Sequence, residues 1–310
     1  MSTAPFCAKD EDLVTGGSAS PSTWRDFVRP TMIAFVAVHV AAVVGMIACG
    51  VSARGVELAI ASYFVRMFVI TAAYHRYFSH RSFKTSRWFQ FLLALGAQSA
   101  AQRGVLWWAS HHRWHHKHSD TAKDVHSAAR RGFWYAHLGW VMGPDWNDTD
   151  RAGVTDLARY PELRALDHPA IAALPTVALA TAFLVFGGAV GLVWGYLVPT
   201  VLLWHASFSI NSLAHLVGRQ RYETGDKSRN SWILAVLTTG EGWHNNHHHY
   251  QSSARQGFRW WEIDVTYYAL RLLALTGLIW DVREPPQHIV DAPRPKIVAP
   301  ESASRSARAA

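Results

Sequence analysis

The sequence predicts an all-α integral membrane protein, with four transmembrane helices in two hairpins capped on one side by a polar helical domain. Three observations carry this. The 24 residues between Arg29 and Arg54, and the 50 from Pro169 to Gly218, contain no Asp, Glu, Lys or Arg, and one bilayer crossing needs about 20 apolar residues. The residues between and after these runs are polar, and nine of the chain's 18 histidines gather there and at the ends of the runs. Arg76, Arg81, Lys84, Arg87, Arg113 and Lys117 would all fall on one side of two such hairpins, which the positive-inside rule makes cytoplasmic. A chain of 310 residues, half of them apolar, is enough for one large domain. The net charge of +8 then reflects basic residues held on the cytoplasmic side and not a nucleic-acid partner. Two cysteines, Cys7 and Cys49, build neither a disulfide framework nor a four-cysteine metal site.

Residues 1–23 are rich in Ser, Ala and Gly and carry Asp10, Glu11 and Asp12. They lack the basic start and cleavage site of a secretory signal, so a disordered tail and a retained first anchor are expected. The domain proper runs over 24–282, opening on Trp24, Arg25 and Arg29 as an interfacial anchor. Its spans are placed at about 31–51, 57–75, 170–187 and 192–216, the last two joined at Gly187-Gly188 or Gly191. Arg66 falls near the middle of the second span, where a cation is costly in lipid, and should face protein or snorkel. The stretch 88–110 carries Gln90, Gln98, Gln102 and Arg103. Were it to cross the membrane, His75 and His112 would lie on opposite sides, so it reads as an interfacial or half-buried helix. Residues 111–168 read as polar and helical, with Trp134, Trp140 and Trp146 as interface anchors. Phe258-Arg259-Trp260-Trp261 and Tyr267-Tyr268 read as an aromatic membrane-surface helix, and 283–310 as a disordered C-terminal tail.

The chemistry lies in the histidines. His111 to His118 holds five imidazoles in eight residues. Among them His112, His115 and His116 stand at i, i+3 and i+4, which on a helix share one face and can hold a metal. His244, His247 and His248 repeat that spacing. His75 and His80, at i and i+5, lie about 140° apart on an ideal helix, so they converge only if the helix ends between them. Asn211 and His215 stand at i and i+4. Nine imidazoles are too many for one ion and about right for two.

Neutral imidazole suits iron, zinc and copper alike, so the ligand set does not name the metal. No His-Glu dipeptide occurs, which argues against a zinc protease. Only Glu241-Gly242-Trp243-His244 fits the Glu-x-x-His of a carboxylate di-iron bundle, which needs two. A transporter would place ligands near the bilayer midplane, whereas these sit at the ends of spans. What remains is a redox-active pair of irons at the cytoplasmic rim, acting on something lodged in the membrane.

His75-x4-His80, His112-x2-His115-His116 and His244-x2-His247-His248 resemble the three histidine boxes of the membrane fatty acid desaturases. Asn211-x3-His215 is similar to the extra element of the acyl-CoA (stearoyl-CoA type) Δ9 branch, as are Arg76, Ser79 to Ser82, Lys117, Arg130-Arg131-Gly132-Phe133 and Gly240-Glu241-Gly242. The resemblance runs from about Val69 to Asp281, and the form without a fused electron carrier looks bacterial. It implies a non-haem di-iron oxidoreductase with nine histidine ligands: His75, His80, His112, His115, His116, His215, His244, His247 and His248. Asn211 would hold a water on one iron. It also implies O₂-dependent removal of two hydrogens from an unactivated methylene pair of an acyl-CoA, leaving a cis Δ9 double bond. Such chemistry depends on positioning and needs no general base. By the same resemblance Gln102, Trp108 and Ser207 line the bend of a substrate tunnel, and Tyr63 and Met67 lie near its floor. Asp120, Asp124 and Glu241 are candidate acceptors that orient ligand imidazoles.

The sequence departs from the animal acyl-CoA enzymes at two places. Ser110-His111 stands where they carry Arg-Asp, and Gly143-Pro144 where they carry a basic pair. Acyl-CoA remains the first head group expected, with acyl-carrier protein and acyl-phospholipid beside it. His39, His111, His118, His126, His137, His168, His205, His249 and His288 are left as non-ligands. The 310 residues hold no His-Pro-Gly-Gly haem motif, four-Cys ferredoxin set or dinucleotide fingerprint. A separate reductase or ferredoxin-like donor is therefore expected on the basic face of a bacterial inner-membrane protein with both termini cytoplasmic. A lipid hydroxylase with the same metal architecture and a non-enzymatic metal-binding membrane protein are the alternatives.

Overall fold

The computed structural model describes residues 30–143 and 145–292. The expected 1–23 tail, the Trp24, Arg25 and Arg29 anchor, Pro144 and the tail beyond residue 292 lie outside the described residues. The described chain is mostly helical, with one two-stranded antiparallel pairing, β1 (Lys84–Thr85) with β2 (Ile279–Trp280). Three helical runs are long and apolar enough to cross a membrane: Pro30–Cys49, Ala53–Ser79 and Pro169–His215.

The first run is α1 (Pro30–Cys49), an apolar rod that buries only Ala42 within the protein. Gly50, at φ 65°, ends it. The Ser52 hydroxyl then caps α2 (Ala53–Val69) by accepting from the Gly55 N–H at 3.1 Å, satisfying one of the orphan donors of a helix start. Gly55 has no Cβ because Trp194 stands 2.9 Å from where one would be. Arg66 faces protein: its guanidinium donates to Thr200 Oγ1 at 2.7 Å, Ser99 O at 2.9 Å and Tyr196 O at 3.4 Å.

From Ile70 to Ser79 the helix continues with π winding, and all ten residues are buried. This corrects the expectation for His75 and His80. The helix does not end between them. Bonding from i to i+5 brings residue i+5 back over residue i; the His80 N–H donates to His75 O at 3.2 Å, and the two rings sit 4.9 Å apart.

The third run is not one rod. Gly188, at φ 60° and ψ −154°, breaks α5 (Leu174–Val190), a conformation open to glycine and not to side-chain-bearing residues. The chain then returns through Gly191–Leu197 into α6 (Val198–Ser212). A straight helix would separate Thr176 from Tyr196 by about 30 Å, yet their hydroxyls are hydrogen-bonded. Gly191 and Gly195 both pack against Phe183, with no room for a Cβ at either.

The stretch expected to be one half-buried helix over 88–110 is two: α3 (Arg87–Gln98) and α4 (Val105–His118). Three carbonyls around the break are claimed from outside, Ser99 O by Arg66, Ala100 O by Trp204 and Arg103 O by Tyr74. Ala101 and Arg103 take positive φ, and Gly104 leaves space for Asp167, which would stand 2.4 Å from a Cβ. Asp167 in turn accepts from the Trp107 N–H at the start of α4.

The remaining helices used below are α7 (Trp232–Leu237), α8 (His244–His249) and α9 (Val265–Leu275). Of the three expected interface tryptophans, Trp134 is 74% exposed, but Trp140 is 7% exposed and stacked on Trp107 at 5.8 Å. Trp146 is half-buried, its carbonyl accepting from Trp107 Nε1. The expected surface helix over 258–268 is mostly loop, with the helix beginning at Val265; Trp260 and Trp261 are exposed while Phe258 and Tyr267 are buried. Residues 283–292, expected as tail, are mostly exposed but tied to the domain: the Arg283 N–H donates to Ser82 O, and Val290 O accepts from Tyr222.

Candidate metal centre

The nine box histidines converge from four directions. The π-wound end of α2 supplies His75 and His80, α4 supplies His112, His115 and His116, the turn after α6 supplies His215, and α8 supplies His244, His247 and His248. They sort into two groups whose ring nitrogens could each hold an ion: His75, His80, His112, His116 and His247 in one, and His115, His215, His244 and His248 in the other.

Although the three histidines of a box share one face of a helix, they do not all enter one cluster. In both boxes the i and i+4 histidines enter one cluster and the i+3 histidine enters the other. Thus α4 gives His112 and His116 to the five-histidine cluster and His115 to the four. Helix α8 does the reverse, giving His244 and His248 to the four and His247 to the five. The two boxes interlock.

In the five-histidine cluster the Nε2 atoms run in a chain. His75 to His247 is 3.0 Å, and His247 to His116, His116 to His112, and His112 to His80 are each 2.9 Å. One ring nitrogen carries at most one proton, so a shared cation satisfies this net better than four N–H···N bonds. In the other cluster His215 and His244 meet at 3.1 Å through Nε2. The Nε2 atoms of His115 and His248 are buried with no hydrogen-bond partner among the described residues. Such buried orphans are costly unless something is bound there. The donor set therefore fits two transition-metal ions.

Carboxylates fix the ring tautomers. His115 Nδ1 lies 2.8 Å from Asp124, His215 Nδ1 2.9 Å from Asp120, His248 Nδ1 2.7 Å from Asp226, and His75 Nδ1 pairs with Glu241. A proton held at Nδ1 leaves the Nε2 lone pair free for a metal. Burial, followed by the charges of neighbouring imidazoles, holds His80, His112, His116, His244 and His247 well below the ordinary 6.5. Burial likewise lowers His248 to about 4 against the pull of Asp226. Burial raises the Asp226 carboxyl, but the hydrogen bond from His248 and its charge reverse that and take it far below the usual carboxylate range. Burial opposes Asp120 too, yet His215 and Ser127 carry it to about 2.

Asp226 escaped the sequence reading. It sits 22 residues before His248, and the only hint was that each ligand imidazole needs an acceptor. Gln256, 3.2 Å from His75 Nδ1, was missed for the same reason. Asn211 is half-buried on α6, one turn before His215. Among the histidines set aside, His111 bonds Trp107 O and His249 stacks on Tyr222. His39, His205 and His137 form a separate hydrogen-bonded row ending on Ser212. His126 comes nearest the site, its ring 4.1 Å from His115 and grouped with His115 and Asp124 as a possible metal-holding set.

Gln102, Trp108 and Ser207 meet below the five-histidine cluster: Gln102 Oε1 accepts from Trp108 Nε1 at 3.2 Å and Ser207 Oγ at 3.4 Å. The Trp108 ring stacks on His112 at 4.8 Å and on Tyr74 at 5.3 Å. Met67 and Tyr63 lie progressively lower on α2, and the Tyr63 hydroxyl donates to Leu237 O at 2.6 Å. Helix α7 therefore reaches down beside α2. On the polar side a cleft of about 440 Å³, lined by Ser79, His80, Arg113, His116, Lys117 and Gln251, opens onto the same cluster.

With this geometry in view, residues 56–275 match the Fatty acid desaturase family. The chain belongs to that family. It is 38% identical over 252 residues to an sn-1 stearoyl-lipid 9-desaturase of Anabaena variabilis, covering 80% of this chain and 91% of that one. It is 41% identical over 224 residues to the acyl-CoA 5-desaturase AL21 of Anemone leveillei, covering 71% and 68%. It is 39% identical over 225 residues to the probable chloroplastic lipid desaturase ADS3.2 of Arabidopsis thaliana, covering 72% of this chain and 62% of that one. Relatives named for lipid-linked and for CoA-linked chains are thus about equally similar. Family membership, the histidine clusters and the apolar helices make this a membrane-associated desaturase-family protein with a fatty acyl substrate and sites suited to metal.

Proposed function

We propose that the protein is an O₂-dependent fatty acyl desaturase that introduces a cis Δ9 double bond at a histidine-held di-iron centre. The observation that carries this reading is the interlocked pair of histidine clusters above the Gln102, Trp108 and Ser207 contact. His75, His80, His112, His116 and His247 would hold one iron. His115, His215, His244 and His248 would hold the other, with Asn211 one turn away as support for a bound water. When bound, the irons supply O₂ activation, fed by electrons from an external donor, and so the oxidising power that an unactivated methylene pair demands.

The chain's own residues do the rest by positioning. Asp120, Asp124, Asp226 and Glu241 hold Nδ1 protons and so aim Nε2 lone pairs inward. Trp108, stacked between Tyr74 and His112, walls the cluster from below, and its bond to Gln102 fixes the polar point past which an acyl chain would bend. Met67 and Tyr63 would receive the chain's far end. No side chain needs to act as a general base.

In this reading α1, α2 and the two limbs of the run bent at Gly188 make four crossings, with the clusters and both termini on the cytoplasmic side of a bacterial inner membrane. A ferredoxin-like protein or reductase would dock over the basic cleft at Arg113 and Lys117. A lipid-esterified acyl chain is the first substrate to assay, because the stearoyl-lipid relative is matched over 91% of its length. Acyl-CoA is the alternative. The test is gas chromatography of lipids from a desaturase-deficient host. Wild type should yield a cis monounsaturated acyl group, and His116→Ala or His247→Ala should abolish it. An alcohol without an alkene would make the protein a hydroxylase, and unchanged lipids would sink the reading.

A further inference from the structure

The two clusters have unlike surroundings. In the four-histidine cluster three of the four imidazoles are backed at Nδ1 by a carboxylate, namely Asp120, Asp124 and Asp226. None of these carboxylates has a Lys or Arg ion-pair partner among the described residues. Their other bonds come from backbone N–H groups and hydroxyls: Asp124 from the Asp120 N–H, Asp120 from the Lys227 N–H and Ser127, Asp226 from Thr224 and Ser228. All four histidines are buried.

In the five-histidine cluster only His75 is backed by a carboxylate, Glu241, and that carboxylate is shared. Arg76, fully buried, donates to Glu241 at 3.1 Å and sits 3.0 Å from Asp264. Gly240, at φ +131°, keeps the space open, since a Cβ there would stand 2.4 Å from Asp264 and 3.2 Å from Arg76. His116 and His247 have buried Nδ1 atoms without a partner among the described residues. His80, His112 and His116 are only half-buried, and the cleft reaches His80 and His116 beside Arg113 and Lys117. Three buried negative charges therefore surround one metal position, and a single net negative charge, from Glu241, Arg76 and Asp264 together, backs the other. For a divalent cation in a weakly polar interior, that difference outweighs one additional neutral imidazole.

We propose that the clusters are unequal metal sites: the four-histidine site fills first and holds its ion more tightly, with Asp120, Asp124 and Asp226 as its positioning residues, while the five-histidine site loads second, through the cleft. Asp264 is a positioning residue of the second site. It divides Arg76 between two carboxylates and so leaves Glu241 available to His75. This rests on the histidines being metal ligands and not on the reaction they serve.

The test is metal binding by the full-length protein, stripped and titrated anaerobically with Fe(II) and, separately, with Co(II), against a competing chelator. Bound metal and the Co(II) absorption spectrum are read together. Two steps are expected, the tighter one first. Asp226→Asn should weaken the first step about 10- to 100-fold and leave the second, whereas Asp264→Asn should weaken the second alone. Wild type gives a check that no folding defect can confuse: a chelator should strip one equivalent quickly and the other slowly. One step with two equal sites, a single stripping rate, or loss of the later step in Asp226→Asn would overturn the proposal. An active enzyme with equal sites overturns only the filling order. Two-step binding without an alkene product overturns only the desaturase reading.

Discussion

Helix α1 and the π-wound end of α2 make an instructive pair. The first fully buries only Ala42 of its 20 residues, and most of the others face outward or are half-buried. The second buries all ten of its residues, among them Thr71, His75, Arg76 and Ser79. Hydropathy alone would give the first to the interior and the second to the surface. The reverse holds because in a membrane protein the apolar solvent is outside, so polar residues can be concentrated where they bond one another and the clusters.

That contrast predicts where substitution hurts. The largest effect should come from Arg76→Met, which strands Glu241 and Asp264 as buried charges. Breaking such a pair costs about 3–5 kcal/mol, read as a fall in the denaturation midpoint of the detergent-solubilised protein; a loss below about 1 kcal/mol would mean that Arg76, Glu241 and Asp264 are not a structural unit. Next comes Gly242→Ala. Its Cβ would lie 2.0 Å from Ala235 N and 2.4 Å from Ser231 O, both backbone, and overpacking of this kind costs about 1–3 kcal/mol.

A third test uses pH on the apoprotein. His80, His112, His116, His244 and His247 have folded-state values below the unfolded 6.5, so the folded state binds fewer protons than the unfolded chain. Their contribution is fully present above pH 6.5 and is lost as pH falls from there toward the lowered values. The melting temperature of the stripped protein should therefore drop between pH 7.5 and 5.5, and bound metal should blunt the drop. A flat profile would contradict neutral burial. The smallest effect is expected on α1: Ile47→Ala, at a position 79% exposed, should change stability by no more than about 0.5 kcal/mol, and a larger change would show that α1 packs against protein there.

Much of the site was legible because spacing in the chain is geometry on a helix. The i, i+3, i+4 boxes, the Asn211 to His215 pair and the His75 to His80 pair mark the nine histidines that the fold brings together. Three things were not legible. The interlocking of the boxes depends on where α4 and α8 cross, which no local pattern records. The convergence of His75 and His80 needed π winding, whose i to i+5 bonding has no sequence signature of its own. Asp226, Gln256 and Asp264 are distant in sequence from the groups they touch.

The sequence by itself determined the apolar runs, a fold-back at Gly187-Gly188 or Gly191 and the imidazole inventory, because hydropathy, glycine's freedom and ligand chemistry belong to residues one at a time or a few apart. Only the tertiary structure decided which histidine joins which cluster, which carboxylate stands behind it, and how the charge is divided between the two. Those depend on side chains from segments far apart in the chain meeting within about 3 Å, the range of a hydrogen bond.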